Sequence, residues 1–128
     1  MAANAERVER LYAAGTSADG LAYYDDSVEW DMSNYAGWAD RPAYRGKEGV
    51  EEFMRGWLSS FDRWEATVEQ IEERDDTVVA VIHDRAFLKG SSVPMTRRYA
   101  HLFRFSDDLI VYAAIYSDVD AALTSVTA

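Results

Sequence analysis

The longest regular pattern of apolar residues lies in the middle of the chain, between residues 46 and 64. From Val50 to Phe61 the apolar side chains recur every three or four positions, so they fall on one side of a helix. A shorter stretch over residues 4–14 has the same spacing. The sequence therefore predicts a first helix near the N-terminus and a long amphipathic helix over residues 46–64.

The segment between these two helices has a mixed pattern. Gly15 ends the first helix, and the capping residue types at 16–17 begin a second short helix that runs through residue 24. Residues 28–32 alternate strictly between apolar and polar side chains, which predicts a short strand. Residues 33–45 contain glycine and proline together with three aromatic rings, so we expect a loop whose rings cover another part of the molecule.

The second half of the chain shows the alternation of strands, interrupted by turn residues. The predicted strands are 65–73, 78–89, 95–105 and 109–117, and a final turn of helix follows them. Helices followed by a meander of strands are typical of the α+β class. We therefore expect the helices to pack on a strongly curved antiparallel sheet, and the resulting cone to enclose one pocket.

The last predicted strand is apolar on both faces over Leu109–Tyr116. A strand of this kind is central in its sheet or packs against a second surface. We therefore expect a homodimer that forms through the outer face of the sheet.

Composition narrows the possible partners. The 128 residues include no cysteine, and they carry a formal charge of −10 with a pI of about 4.5. This length predicts one domain that spans residues 1–128. The lack of cysteine excludes disulfides and thiolate chemistry, and the acidic balance argues against nucleic acid and anionic membranes as partners. The sequence shows neither a signal peptide nor an apolar run long enough to span a membrane, so we expect a cytoplasmic protein.

Metal and cofactor sites are not predicted either. The two histidines fall on different predicted strands and lack the spacing of metal ligands. The sequence also lacks the glycine-rich loops that bind phosphates or dinucleotides. Any catalysis is therefore expected to be free of metal and cofactor and to depend on carboxylates.

The order of these elements, together with several short segments, is similar to the nuclear transport factor two-like superfamily and, within it, the SnoaL-like group. The segments that carry the resemblance are 25–30, 44–50, 57–61, 101–105 and 110–118. The resemblance implies a cone-shaped α+β fold. It does not choose a reaction, because the superfamily includes isomerases, dehydratases, epoxide hydrolases, polyketide cyclases and binding modules. The Arg-x-Asp pair of the epoxide hydrolases is absent from the predicted strands.

Asp31 is the first catalytic candidate that the resemblance implies. Ketosteroid isomerases have a general-base aspartate five residues after an Asp-Asp pair, and Asp31 lies five residues after Asp26. Such a base acts from a dry pocket, where it removes a proton next to a carbonyl. The alternation of the strand favours a different reading, in which Trp30 faces the core and Asp31 faces solvent.

His101 is the second catalytic candidate, because it shares a strand face with Tyr99 and Phe103. The matching position in ketosteroid isomerases holds a protonated acid that donates a hydrogen bond to an oxyanion, and a neutral imidazole could also donate there. The alternative is an ordinary core histidine. Tyr12 lies next to the position of the isomerases' first-helix tyrosine, and its alternative role is also in the core.

His83 is a weaker candidate. Scytalone dehydratases, which are relatives in this superfamily, place two histidines around their substrate. His83 shares one strand face with Arg85, while Asp84 lies on the other, and the pattern leaves open which face lines the pocket.

The expected ligand is a flat, largely apolar molecule, such as a polyketide, a steroid-like compound or a terpenoid. The predicted ligand-binding residues are Tyr12, Trp30, Trp38, Phe53, Trp57, His83, Phe87, Tyr99, Phe103 and Tyr116. As an enzyme, the protein would catalyse isomerisation, cyclisation or dehydration with Asp31 as the base and His101 as the donor. As a non-catalytic module, it would use the same fold to bind a small ligand or to associate.

Overall fold

The computed structural model of the protein describes residues 3–14, 18–36, 38 and 41–127. The elements in chain order are α1 (Ala3–Ala14), a 3₁₀ helix (Ala18–Tyr23), β1 (Tyr24–Asp31), β2 (Ala43–Arg45), α2 (Gly46–Leu58), β3 (Phe61–Arg74), β4 (Thr77–Leu88), β5 (Met95–Ser106), β6 (Leu109–Tyr116) and α3 (Val119–Thr127). The predicted α+β class is confirmed. The predicted helix end at Gly15 and the predicted cap at residues 16–17 lie outside the described residues.

The six strands form one curved, unclosed sheet in the order β2-β1-β6-β5-β4-β3. Strands β3 to β6 are successive antiparallel neighbours, as the turn residues between them predict. The sheet differs from the expected antiparallel one at a single junction, because β1 pairs with β6 in parallel, with Trp30 opposite Ala113. This pairing brings the first and the last strand together at the centre of the sheet.

Several elements differ from the predictions: β2 lies in the segment expected to be a loop, and β3 begins at Phe61 rather than at residue 65. Strand β1 begins at Tyr24, where a second helix was expected to continue, because the buried Tyr24 already pairs with Ile110 of β6. Helix α2 ends at Leu58 rather than near residue 64. The Ser59 N–H still donates to the carbonyl of Arg55 at 2.9 Å, and the chain then turns into β3.

The inner and outer faces of the sheet carry separate apolar cores. The inner face packs against α1 and α2. On the outer face, Val81 and Leu102 pack under α3 through its residues Val119, Ala122 and Val126. Helix α3 of the same chain therefore covers part of the outer apolar face of the sheet. The homodimer through the outer face stays a prediction. Among the helices of the described residues, none has the length and hydropathy to cross a membrane.

A candidate ligand-binding cavity

A cavity of about 500 Å³ lies between the inner face of the sheet and the helices α1, α2 and 3₁₀. Of the predicted site residues, those that line it are Tyr12, Trp30, Phe53, Trp57, Tyr99 and His101. Its wall also contains lining residues that the sequence analysis did not single out, among them Leu11, Leu21, Tyr24, Met54, Trp64 and Ile115. The exposed side chains of Glu51 and Arg55, one turn apart on α2, mark its edge toward solvent.

Asp31 does not line this cavity. Its side chain lies on the outer face of the sheet, where Oδ2 accepts a hydrogen bond from the Tyr112 hydroxyl at 2.6 Å and Oδ1 accepts one from the Ser33 N–H at 2.9 Å. Burial opposes ionisation of the carboxyl, but the hydrogen bonds from Ser33 and Tyr112 outweigh it and lower the pKa of Asp31. The structure therefore does not bring Asp31 and His101 to one cavity, because the alternation that buries Trp30 turns Asp31 outward.

The other predicted residues outside the lining have identifiable places. His83 is exposed on the outer face, and Phe87 lies on the same face under the guanidinium of Arg85, at 5.2 Å from the ring centroid. Tyr116 packs at the edge of the outer core. Strand alternation sends these three side chains away from the cavity, so they are not part of its wall.

Trp38 and Phe103 lie behind the cavity wall instead of in it. The Trp38 indole N–H donates to the Tyr44 hydroxyl at 3.2 Å, and its ring packs on Phe53 with centroids 5.2 Å apart. Phe103 is buried beneath His101, with ring centroids 3.9 Å apart. Both residues support lining residues from the rear.

His101 is a buried polar residue of the cavity lining, and the ring of Trp30 lies against its imidazole with centroids 4.8 Å apart. The residue is only 5% exposed, and burial lowers the pKa of its imidazole to about 3. The imidazole is therefore neutral at physiological pH. Its Nδ1 lies 2.7 Å from the Tyr12 hydroxyl. Among the described residues, its Nε2 is the only buried side-chain nitrogen or oxygen that has no hydrogen-bond partner.

The hydrogen bond with Tyr12 is compatible with either tautomer of His101. Burial, followed by the charges of nearby groups, raises the pKa of Tyr12, so its hydroxyl keeps its proton. We assign the arrangement in which the hydroxyl donates to Nδ1 and the imidazole proton lies on Nε2. His101 then carries one neutral N–H donor, at Nε2, that has no acceptor among the described residues and almost no accessible surface.

The lowered pKa of His101 predicts a loss of stability in weak acid. The unfolded chain takes up a proton near the ordinary value of 6.5, whereas the folded protein does so only near 3. The unfolded state therefore binds more protons between these values, and the free energy of unfolding falls as the pH falls. From pH 7 to pH 5 we expect a loss of about 2 kcal/mol in urea unfolding. The loss should disappear in His101→Phe and remain in His83→Phe, and an unchanged wild-type value at pH 5 would contradict the prediction.

A second polar group, which the sequence analysis did not single out as a site, is the ion pair of Asp84 and Arg97. Asp84 is fully buried, and its two oxygens accept hydrogen bonds from Arg97 Nε at 3.1 Å and Nη2 at 2.6 Å. Its Oδ2 also accepts the indole N–H of Trp64 at 2.9 Å. Burial opposes the charge of the guanidinium, but hydrogen bonding and the charge of Asp84 outweigh it and raise the pKa of Arg97. We call Asp84 and Arg97 the buried ion pair.

The sequence contains a signal for the inward-facing Asp84, but its partner Arg97 can be identified only when the strand register is known. Asp84 is the one charged residue in the inward phase of β4, between Ile82 and Ala86. Arg97 lies directly opposite it on β5. The alternation indicates that Asp84 faces away from its neighbours His83 and Arg85, but the partner is known only once the register of the hairpin is known.

A curved sheet packed on helices defines the fold class of the protein, and solved structures share this fold over nearly the whole chain. A nuclear transport factor two-like protein of unknown function from Burkholderia pseudomallei K96243 is similar, with a TM-score of 0.78, 18% identity and coverage of 100% of both chains. A putative SnoaL-like polyketide cyclase from Jannaschia sp. CCS1 matches with a TM-score of 0.74 and 20% identity, over 98% of this chain and 92% of that one. TerC, crystallised with polyporic acid, matches with a TM-score of 0.78 and 18% identity over 96% of each chain.

The sequence itself identifies the family. The SnoaL-like domain matches residues 5–113, and the chain belongs to this family. None of the curated proteins gives a significant match to the sequence. The fold and the family are therefore established, and solved structures with this fold include proteins described as a putative polyketide cyclase and a putative isomerase.

Proposed function

We propose that the protein binds a small, uncharged and largely apolar molecule in its cavity, with an oxygen acceptor of the ligand hydrogen-bonded to Nε2 of His101. The observation that carries the proposal is this unpartnered nitrogen on a histidine of the ring-lined cavity. Because Nε2 itself has almost no accessible surface, a ligand oxygen reaches it through a shift of the neighbouring side chains. Buried polar groups normally have partners, and a donor without one fits a ligand acceptor.

The wall of the cavity supports this ligand class. Trp30, Phe53 and Trp57 offer flat apolar surfaces, and about 500 Å³ is within the usual range of small-molecule pockets. The imidazole of His101 is neutral, and the carboxylate of Asp84 is already bonded to Arg97. An anion bound beside His101 would therefore lose its hydration without meeting a positive charge there. Polyketide-, steroid- and terpenoid-like ketones have the required character.

The geometry favours binding over the acid–base mechanism expected from the resemblance. That mechanism pairs Asp31 with His101, and these side chains lie on opposite faces of the sheet. A neutral histidine whose pKa is lowered to about 3 is also a poor proton acceptor at neutral pH. The described contacts thus support a donor that holds and polarises a ligand oxygen.

The proposal can be tested with two probes of similar shape, 2-acetonaphthone and 2-ethylnaphthalene, which differ in the ketone oxygen. Tryptophan fluorescence titration should show that the wild-type protein binds both, and that it binds the ketone about threefold to tenfold more tightly, as expected for one neutral hydrogen bond. The preference should disappear in His101→Phe and persist in His83→Phe, which changes an exposed histidine. The proposal is wrong if neither probe binds, or if the wild-type protein does not distinguish them.

A further inference from the structure

The buried ion pair lies toward the opposite end of the cavity from His101. Arg97 precedes His101 by four residues on the inward phase of β5, which corresponds to about 14 Å along a strand. Asp84 and Arg97 are not themselves among the lining residues. The rings of three residues that do line the cavity are next to them, namely Trp57, Trp64 and Tyr99.

Each member of the pair makes a directional contact with one of these rings. The carboxylate of Asp84 holds the indole N–H of Trp64 at 2.9 Å. The guanidinium of Arg97 lies over the ring of Trp57, with Cζ 4.5 Å from its centroid. Hydrogen bonds and cation–π contacts depend on orientation, so these contacts restrict the rotation of both indoles.

Stability alone does not account for the pair. Moving a carboxylate out of water is costly, and apolar residues of the same volume usually stabilise a core as well as a buried ion pair does. Asp84 has no exposed surface, whereas Arg97 keeps 22% of its side chain exposed. What apolar replacements cannot supply is the fixed orientation of the two indoles.

We propose that the buried ion pair positions the rings of Trp57 and Trp64, so that it sets the width of the cavity and selects flat ligands over globular ones. Asp84 and Arg97 are thus positioning residues, which act through the rings and not by touching the ligand. This inference rests on the proposed function insofar as the cavity is the ligand site.

The test compares 2-acetonaphthone, which is flat, with 1-acetyladamantane, which has the same ketone on a globular frame. The wild-type protein should bind the flat ketone at least tenfold more tightly. In the double variant Asp84→Leu/Arg97→Met, which removes both charges together, we expect this ratio to fall at least fivefold. Arg97→Lys keeps a positive charge but loses the planar stack and the two-point contact, so it should give an intermediate ratio. An unchanged ratio in both variants, with folding verified by urea denaturation, would overturn the proposal.

A second measurement needs no ligand and separates this inference from the proposed function. With 5-fluorotryptophan in place of tryptophan, ¹⁹F NMR reports each indole, and the signals can be assigned by single tryptophan-to-phenylalanine variants. In the double variant we expect the Trp57 and Trp64 resonances to shift and broaden, while that of Trp30, which contacts neither Asp84 nor Arg97, stays in place. If the signals of Trp57 and Trp64 are unaffected, the positioning role is refuted even if the ketones bind as expected. If the signals change but the ketones do not bind, the proposed function fails and selection of flat ligands fails with it.

Discussion

Replacing Asp84 by leucine is expected to lower the free energy of unfolding by about 3–5 kcal/mol, as for other broken buried ion pairs. Leucine has the same branching at Cγ as aspartate, but it is larger and accepts no hydrogen bond. The substitution leaves two Arg97 donors and the Trp64 N–H without their present acceptor. Because most of the Arg97 side chain is buried, water can replace the lost contacts only in part. Urea denaturation followed by far-UV circular dichroism measures the loss.

A matched control for this change is the exposed ion pair formed by Arg98, the residue that follows Arg97 on β5. Arg98 pairs with Glu69 at 3.2 Å on the outer face, and both side chains are substantially exposed. Glu69→Leu should therefore cost less than about 1 kcal/mol. The double variant Asp84→Leu/Arg97→Met should recover most of the loss, since it removes the uncompensated charge. A loss in Asp84→Leu no larger than that in Glu69→Leu would show that the pair is not effectively buried.

Replacing Phe53 by alanine is the second large effect, with an expected loss of about 3–5 kcal/mol. Phe53 is 1% exposed and stands at the centre of the aromatic cluster between α2 and the sheet. Its ring centroid lies 4.5 Å from that of Trp30, 5.2 Å from Trp38, 5.6 Å from Tyr44 and 5.6 Å from Trp57. Four rigid rings cannot close the space that the deletion leaves. The free-energy cost of the new cavity is therefore hardly reduced by collapse of the neighbouring side chains.

Met54 provides the comparison for this substitution. It follows Phe53 on α2 and also lines the cavity, but it is only partly buried. Met54→Ala should therefore cost clearly less than Phe53→Ala in the same urea experiment. Equal losses in the two variants would mean that Phe53 is not the centre of the cluster.

Much of the fold was predictable because its signals are local. The spacing of Val50, Phe53 and Trp57 alone places α2, and turn residues separate the strands of the meander. The end of α2 was placed too late because Phe61 continues the helical spacing by chance, although it begins β3. The parallel pairing of β1 with β6 has no local signal, since it joins segments near opposite ends of the chain.

The residues that line the cavity could be predicted only where the sequence shows which side of a helix or strand is buried. Phe53 and Trp57 follow from the apolar stripe of α2, and His101 follows from its aromatic neighbours on β5. His83 and Phe87 were placed in the site because the alternation of β4 does not say which face turns inward. That information comes from tertiary packing, with α3 covering the outer face.

The pairing of β1 with β6 also affects how the protein is made. During synthesis β1 emerges early, but its central neighbour leaves the ribosome only after α2 and three long strands have been translated. Until then Trp30 has no neighbouring strand on that side, and the wall that Ile115 contributes to the cavity does not exist. Joining such distant segments is the slow part of folding. The nascent chain should therefore complete its sheet and its cavity only after β6 has left the ribosome.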